Sequence, residues 1–178
     1  MKVSPRILLF MLIMFAFSEI ACSQARHSRS DRRAHYSSSY NYEVEITGVG
    51  SDGTKTMKVW GYGRRVEDAI IQAKMNAVAS VIFRGIPAGH GAAATPAILR
   101  DPNAGEKHAD YFDEFFSASG KYINFINLTT DGMPSGQDRL RMSRPRGYKV
   151  AIYAQVMYDN LRRQLEADGI ARRLDHGF

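Results

Sequence analysis

"VWGYGRRVEDAIIQAKMNAVASVIFRG", Val59 to Gly85, decides how this chain is built. A strand-like alternation runs into Gly61-Tyr62-Gly63, and a helical periodicity follows from about Val66 to Arg84. Glu67 and Asp68 fall in the first turn, where the positive end of the helix dipole favours acids. Gly85 and Pro87 supply the stop. On the helical wheel, Val66, Ile70, Ala73, Ala77 and Val81 form one apolar stripe, and Ile71, Met75, Val78 and Ile82 form a second. Alanines in the middle of the first stripe let the helix lie close against a sheet. The second stripe needs a separate cover, such as another helix. Asp68, Gln72, Asn76 and Ser80 recur every four residues and predict a polar face.

The glycines pose a choice between a phosphate-cradling loop and a joint. A dinucleotide fingerprint requires G-x-G-x-x-G, and Val66 stands where the third glycine belongs. No Gly-Lys-Ser/Thr follows to make a P-loop. The strand before the glycines is also half of a hairpin, not the first strand of a parallel βαβ unit. Gly61 and Gly63 therefore read as a joint, permitting a bulge or a sharp exit from the strand.

Outward from this stretch the pattern stays regular. Tyr42, Val44 and Ile46 alternate with Glu43, Glu45 and Thr47, a half-buried strand. Ser51-Asp52-Gly53 supplies a hairpin turn, and the return strand puts Met57 and Val59 on one face and Trp60 on the other. Residues 87–108, "PAGHGAAATPAILRDPNAGEKH", read as a long loop of a kind that is functional or disordered in a compact domain. "ADYFDEFFSASG" reads as a short helix ended by Gly120. Its Tyr111, Phe112, Phe115 and Phe116 are suited to cover the second stripe. "KYINFINLT" reads as a strand, residues 139–143 as a short edge strand, and "YKVAIYAQVMY" as a strand with Val150, Ile152, Ala154 and Val156 inward. Asp159 is placed to cap a last helix, in which Leu161 and Leu165 face the core and which Gly169 ends. The order ββα-loop-αβ(β)βα predicts a single α+β two-layer domain over residues 41–178, an antiparallel sheet with helices packed mainly on one face.

The N-terminal segment is of another kind. Lys2 and Arg6 precede an unbroken apolar run, Ile7 to Phe17. That run is too short for a membrane-spanning helix, which needs about 20 residues, and suits the core of a secretory signal over residues 1–21. Cys22 is the sole cysteine of the chain. It stands in "SEIACSQ", which resembles the lipobox of bacterial lipoproteins, where cleavage precedes a cysteine that then carries the lipid. Ile20 and Ala21 fit that pattern, and Glu19 replaces its usual leucine. Cleavage after Ala25 by the ordinary signal peptidase is the rival reading. Residues 22–40 follow as a basic tether, either a plain spacer or a segment that touches anionic headgroups. This tether inflates the net charge of +6: of 24 Lys and Arg and 18 Asp and Glu, 18 and 16 lie from Asn41 onward. A nearly neutral domain lacks the electrostatic footprint of general nucleic-acid binding.

The stretch quoted first resembles the core of the LPP20-type lipoproteins and the N-terminal domain of FlgT-like flagellar proteins. Both carry a strand followed by a helix with alanines spaced as in Ala69, Ala73, Asn76 and Ala77. Residues 42–178 as a whole resemble envelope lipoproteins of the Bacteroidota, in "YEVEITGVG", "KVWGYG" and the ending "LRRQLEADGIARRLDHGF". That resemblance brings no activity with it. It implies a lipid anchor on Cys22 and an outer-membrane location facing the periplasm, with a soluble periplasmic or secreted form as the alternative. An acidic run after the lipidated cysteine would signal export to the surface, and Ser23-Gln24-Ala25-Arg26 stands there instead.

Residues suited to chemistry are few, and neither enzyme activity nor a cofactor is expected. No Ser lies in G-x-S-x-G, and a lipidated Cys22 is no nucleophile. No metal site is assigned. A zinc site from His90, His108 and a carboxylate such as Asp110, Asp113 or Glu114 is the alternative, tied to the 87–108 loop as a ligand-binding element. The remaining feature is a basic cluster: Arg139, Arg141, Arg144, Arg146 and Lys149. It reads either as an edge strand defended by charge or as a docking surface for an acidic partner, phosphate or anionic glycan. The expected function is a non-enzymatic, lipid-anchored interaction module of the envelope, accessory to a secretion or motility assembly and contacting envelope protein partners.

Overall fold

The computed structural model describes residues 43–49, 54–129, 133–143 and 146–173. Strands β1 (Val44–Val49) and β2 (Lys55–Gly63) pair antiparallel, Val44 opposite Val59 and Val49 opposite Lys55, with a bulge between Ile46 and Gly48. The Ser51-Asp52-Gly53 turn lies outside the described residues. β5 (Gly147–Val156) borders β2 on its other side, in unbroken register from Thr56 opposite Gln155 to Gly63 opposite Tyr148. The far edge of β5 carries two short strands end to end. β3 (Ile126–Leu128) pairs with residues 154–156, and β4 (Arg139–Met142) with residues 147–150. The helices are α1 (Val66–Phe83), α2 (Ala104–Lys107), α3 (Ala109–Phe115) and α4 (Tyr158–Ala167). This is the expected α+β arrangement, an antiparallel sheet against a helical layer. Among the described residues no helix is long and apolar enough to cross a membrane.

β2 positions α1. Its inward residues taper in the order Met57, Val59, Gly61, Gly63, and the tapered end is where the helix crosses. A Cβ on Gly61 would overlap the Ala69 carbonyl oxygen and the Ala73 amide nitrogen and lie 2.8 Å from Ala73 Cα. One on Gly63 would overlap the Ala69 amide and lie 2.8 Å from Asp68 Cβ. The strand runs through Gly61 without a bulge and ends at Gly63, where the chain leaves it sharply for α1 as expected. What they supply is clearance for helix backbone on strand backbone, matched by alanines on the helix. At the start of α1 the Arg65 amide donates to Asp68 Oδ2 (3.3 Å), satisfying one donor near the helix N-terminus. At its end Gly85, at φ +84°, turns the chain away while its amide bonds the Ser80 carbonyl.

The expected polar face of α1 turns inward from its second turn. Gln72, Asn76 and Ser80 are 8%, 0% and 2% exposed. Asn76 Nδ2 donates to the Trp60 carbonyl of β2 (2.9 Å), Gln72 Nε2 donates to Asn76 Oδ1 (2.8 Å), and Ser80 Oγ donates back to the Ala77 carbonyl (2.8 Å). A buried polar group is tolerated when it is bonded, and these are. Ile71, assigned to the second stripe, is 48% exposed instead, and cover begins at Met75. From Met75 to Ile82 every residue of α1 is buried, with the sheet on one side and the aromatic cluster on another.

That cluster is the expected one, extended. Phe112, Phe115 and Phe116 are buried and interlock with Tyr122 and Phe125, with ring centroids 5.1–6.4 Å apart. Phe83 of α1 meets Phe112 edge-on at 5.0 Å. Each such phenylalanine contributes about 1.5–3 kcal/mol of burial. Three local expectations give way. Lys121–Phe125 is a 3-10 turn, and only Ile126–Leu128 is strand, because Tyr122 and Phe125 must both point into the cluster. Asp159 lies inside the first turn of α4 behind an N-cap at Met157, and does not cap it. The long loop is interrupted by α2. Leu161 and Leu165 face the core as expected, fully buried.

Gly61→Ala is expected to cost about 1–3 kcal/mol, lowering the melting temperature by several degrees. Gly48→Ala, where an added Cβ meets nothing within 4 Å, leaves it unchanged. Equal melting temperatures for the two would refute the clearance argument. Asn76→Leu keeps the branched shape but leaves the Gln72 amide without its acceptor, and chemical denaturation should register a loss of about 1–3 kcal/mol.

Candidate functional site

Alternation along β2 that sends Met57, Val59 and Gly61 to the helices sends Lys58, Trp60 and Tyr62 to the opposite face of the sheet. The β2–β5 register sets Tyr153 opposite Lys58, Ala151 opposite Trp60 and Lys149 opposite Tyr62. These side chains interleave. Lys149 Nζ lies 4.7 Å from the Trp60 ring centroid and 5.5 Å from that of Tyr62. Lys58 Nζ lies 5.0 Å from Trp60 and 5.4 Å from Tyr153. Each contact of this type is worth about 0.5–1 kcal/mol at an exposed site. Trp60 is thus held between two ammonium groups. Each ammonium is anchored in turn: Lys58 to Asp138 at 2.7 Å, and Lys149 to Glu43 Oε2 at 2.5 Å. The Tyr62 hydroxyl donates to Glu43 Oε1 at 2.6 Å.

The electrostatics follow from this geometry. Partial burial pushes the Glu43 carboxyl up, but hydrogen bonds from Lys149 and Tyr62 and the Lys149 charge outweigh it, leaving it below the usual glutamate value. Burial pulls the Lys149 ammonium down, while the bonds to Glu43 and Tyr62 lift it to a net rise. The bond to Asp138 is the main influence raising Lys58. The result is a flat, half-buried aromatic surface whose charges are paired in place.

The basic cluster of the sequence is divided by the strand pleat. Lys149 belongs to this open face. Arg139 and Arg141, opposite Val150 and Tyr148, share the helix-side face, and the Arg139 guanidinium lies 5.3 Å from the Tyr148 ring. Arg146 is exposed at the turn into β5, while Arg144 and Cys22 lie outside the described residues. Leu140, opposite Lys149, extends the open face with a side chain 46% exposed. β4 is the expected edge strand.

The long loop is fixed by bonds of its own. Ile86 and Thr95 bridge, as do Gly89 and Ala92, and the Ile98 and Leu99 amides donate to the Val81 and Ile82 carbonyls at 3.2 and 2.9 Å. Those carbonyls end α1 and would otherwise lack partners. Lys55 Nζ donates to the Ala93 carbonyl and to Thr95 Oγ1. Between residues 96–101 and the end of α4 lies a cavity of about 680 Å³. His108 lines it and His90 does not. His90, at φ 45°, sits in the tight turn between Gly89 and Ala92. Among the described residues no three His, Cys, Asp or Glu side chains gather where one ion could be held.

Compared with protein families, curated proteins and solved structures, the chain finds no match. The open face was the functional feature least visible in the sequence. Its signal is the alternation Lys58-x-Trp60-x-Tyr62, which becomes a site only when the register brings Lys149 and Tyr153 alongside.

Glu43 makes the site's pH dependence testable. Its folded pKa is depressed, so its stabilisation is present above the ordinary glutamate pKa and is lost as pH falls through the lower folded value. The stability gap between the wild type and Glu43→Gln should therefore be full near neutrality and close as pH drops below about 4.5. A gap that is constant from pH 7 to pH 3 in denaturant titrations contradicts the network.

Proposed function

We propose that this chain is a non-enzymatic interaction module of a bacterial envelope, held at the outer membrane by lipid on Cys22, facing the periplasm and accessory to a secretion or motility assembly. The observation that carries the reading is the open sheet face, where Lys58 and Lys149 lie over the rings of Trp60, Tyr62 and Tyr153. Trp and Tyr dominate the energetics of protein interfaces because they offer large area with little rotamer entropy left to lose. Here the ammonium clamps and their acids have already fixed the rings. Beside them β4 offers Leu140 on this face, while Arg141, on the other face of the same edge strand, and Arg146, at the turn into β5, stand exposed at its margin. A partner that lays an apolar surface on the rings and carboxylates along this edge meets both. The resemblance to envelope lipoproteins supplies the setting, and the tether of residues 22–40 supplies reach from the membrane.

The test is recovery of partners by the tagged full-length chain from detergent-solubilised envelopes. Wild type is compared with Cys22→Ala, Arg141→Glu and Trp60→Ala. A reproducible set of envelope proteins is expected, reduced about tenfold or more by Trp60→Ala, the size of a typical hot-spot loss. Arg141→Glu should reduce it less, with an unchanged melting temperature. Cys22→Ala should lose the set along with the membrane. Undiminished recovery by a folded Trp60→Ala chain removes the sheet face from the proposal.

A further inference from the structure

We infer that the cavity between residues 96–101 and the end of α4 binds a small amphiphilic anion, a carboxylate or phosphate head on an apolar body. Its volume, about 680 Å³, lies in the range of small-molecule sites. Its floor is apolar and stiff. Ile98, Leu99 and Ala104 are 6%, 7% and 4% exposed, and the amides of the first two are bonded to the end of α1. Ile170 closes the floor from the α4 side.

The rim has the opposite character. Arg100, Arg172 and Arg173 line the cavity. Among the described residues, none of the three makes a side-chain hydrogen bond or ion pair. Among the described residues, Asp101 in the lining and Glu166 beside it already have basic partners. Asp101 is held by Lys107 at 2.5 Å and by the Asn103 amide at 2.9 Å, and these bonds keep its carboxyl below the usual aspartate value. Glu166 is taken by Arg162, the fourth arginine at the cavity, at 2.8 Å. Three unneutralised guanidinium groups around one concavity create a positive field that an anion relieves, and guanidinium recognises carboxylate and phosphate through paired donors.

The two halves of the site exclude other ligands. A metal cation is repelled by the rim, so His108 serves here as one more polar group of the wall and not as a metal ligand. A neutral apolar molecule fills the floor and leaves the rim unsatisfied. A bare anion satisfies the rim and leaves the floor wet. Only a ligand with both characters uses the whole cavity. This site lies in the helical layer and does not depend on the open sheet face.

The test is titration calorimetry on the full chain, kept soluble in a non-ionic amphipathic polymer. The probes are octanoate and octyl phosphate, with acetate, inorganic phosphate and 1-octanol as half-ligands. One or both of the first two are expected to saturate at one per chain, and their ranking identifies the head group. The half-ligands should bind at least about tenfold more weakly. The double variant Arg100→Glu, Arg172→Glu should weaken the preferred probe by about tenfold or more, while Arg146→Glu and Trp60→Ala leave it unchanged. The inference is overturned if neither amphiphile saturates, if acetate, phosphate or octanol binds as tightly, or if the double variant binds like the wild type.

Discussion

Backbone meets backbone where α1 crosses Gly61 and Gly63 of β2, and most of the architecture follows from that contact. With no side chain between helix and strand, α1 sinks so far into the sheet that its Gln72–Asn76–Ser80 row is buried. The row is tolerable because Asn76 reaches the Trp60 carbonyl and Gln72 reaches Asn76. Hydrogen bonding of this kind does more to fix position than to add stability: a net bond is worth about 1 kcal/mol, while a missing one inside costs more. The helix is thus locked in both depth and rotation.

A helix sunk on one side must be covered on the other. The aromatic residues of α3 and the following 3-10 turn provide that cover, and Ile98 and Leu99 close the end of α1 by taking up its last carbonyls. The loop is therefore structural along its second half, and the cavity beside it is a consequence of how it caps the helix. With the helices gathered on one face, no described element covers the other face of the sheet. It is not made polar throughout, as an idle face would be. It carries Trp60, Tyr62 and Tyr153 with Lys58 and Lys149 laid over them, and Asp138 and Glu43 holding the ammonium groups. A surface so arranged loses little conformational freedom when something docks on it.

The two surfaces differ in how their charge is disposed. On the sheet face each ammonium already has a carboxylate, so the charges orient rings. Around the cavity three guanidinium groups have no such partner among the described residues. One surface is suited to a partner's shape, the other to a ligand's charge.

Periodicity alone told where β1, β2, α1 and β5 lie and which residues of β5 point inward, because a strand or helix that buries one face repeats at its own period. It also marked the aromatic residues of α3 as core and Gly85 and Gly169 as stops. It misjudged the Gln72–Asn76–Ser80 row, since a polar residue reads as solvent-facing unless its partner, here a carbonyl of another element, is known. It misjudged Lys121–Phe125 for a similar reason: two aromatic side chains bound for one cluster overrode a strand-like composition. The basic cluster looked like one patch because it is contiguous in sequence, whereas the pleat of β4 and β5 sends Lys149 to one side and Arg139 and Arg141 to the other. The sequence by itself determined the elements, the class and the local stops. Only the tertiary structure decided which polar residues are buried, which aromatic rings face solvent beside which lysines, and which arginines surround a cavity. Those outcomes depend on registers and contacts between residues far apart along the chain, such as Glu43 with Lys149, and no local pattern encodes them.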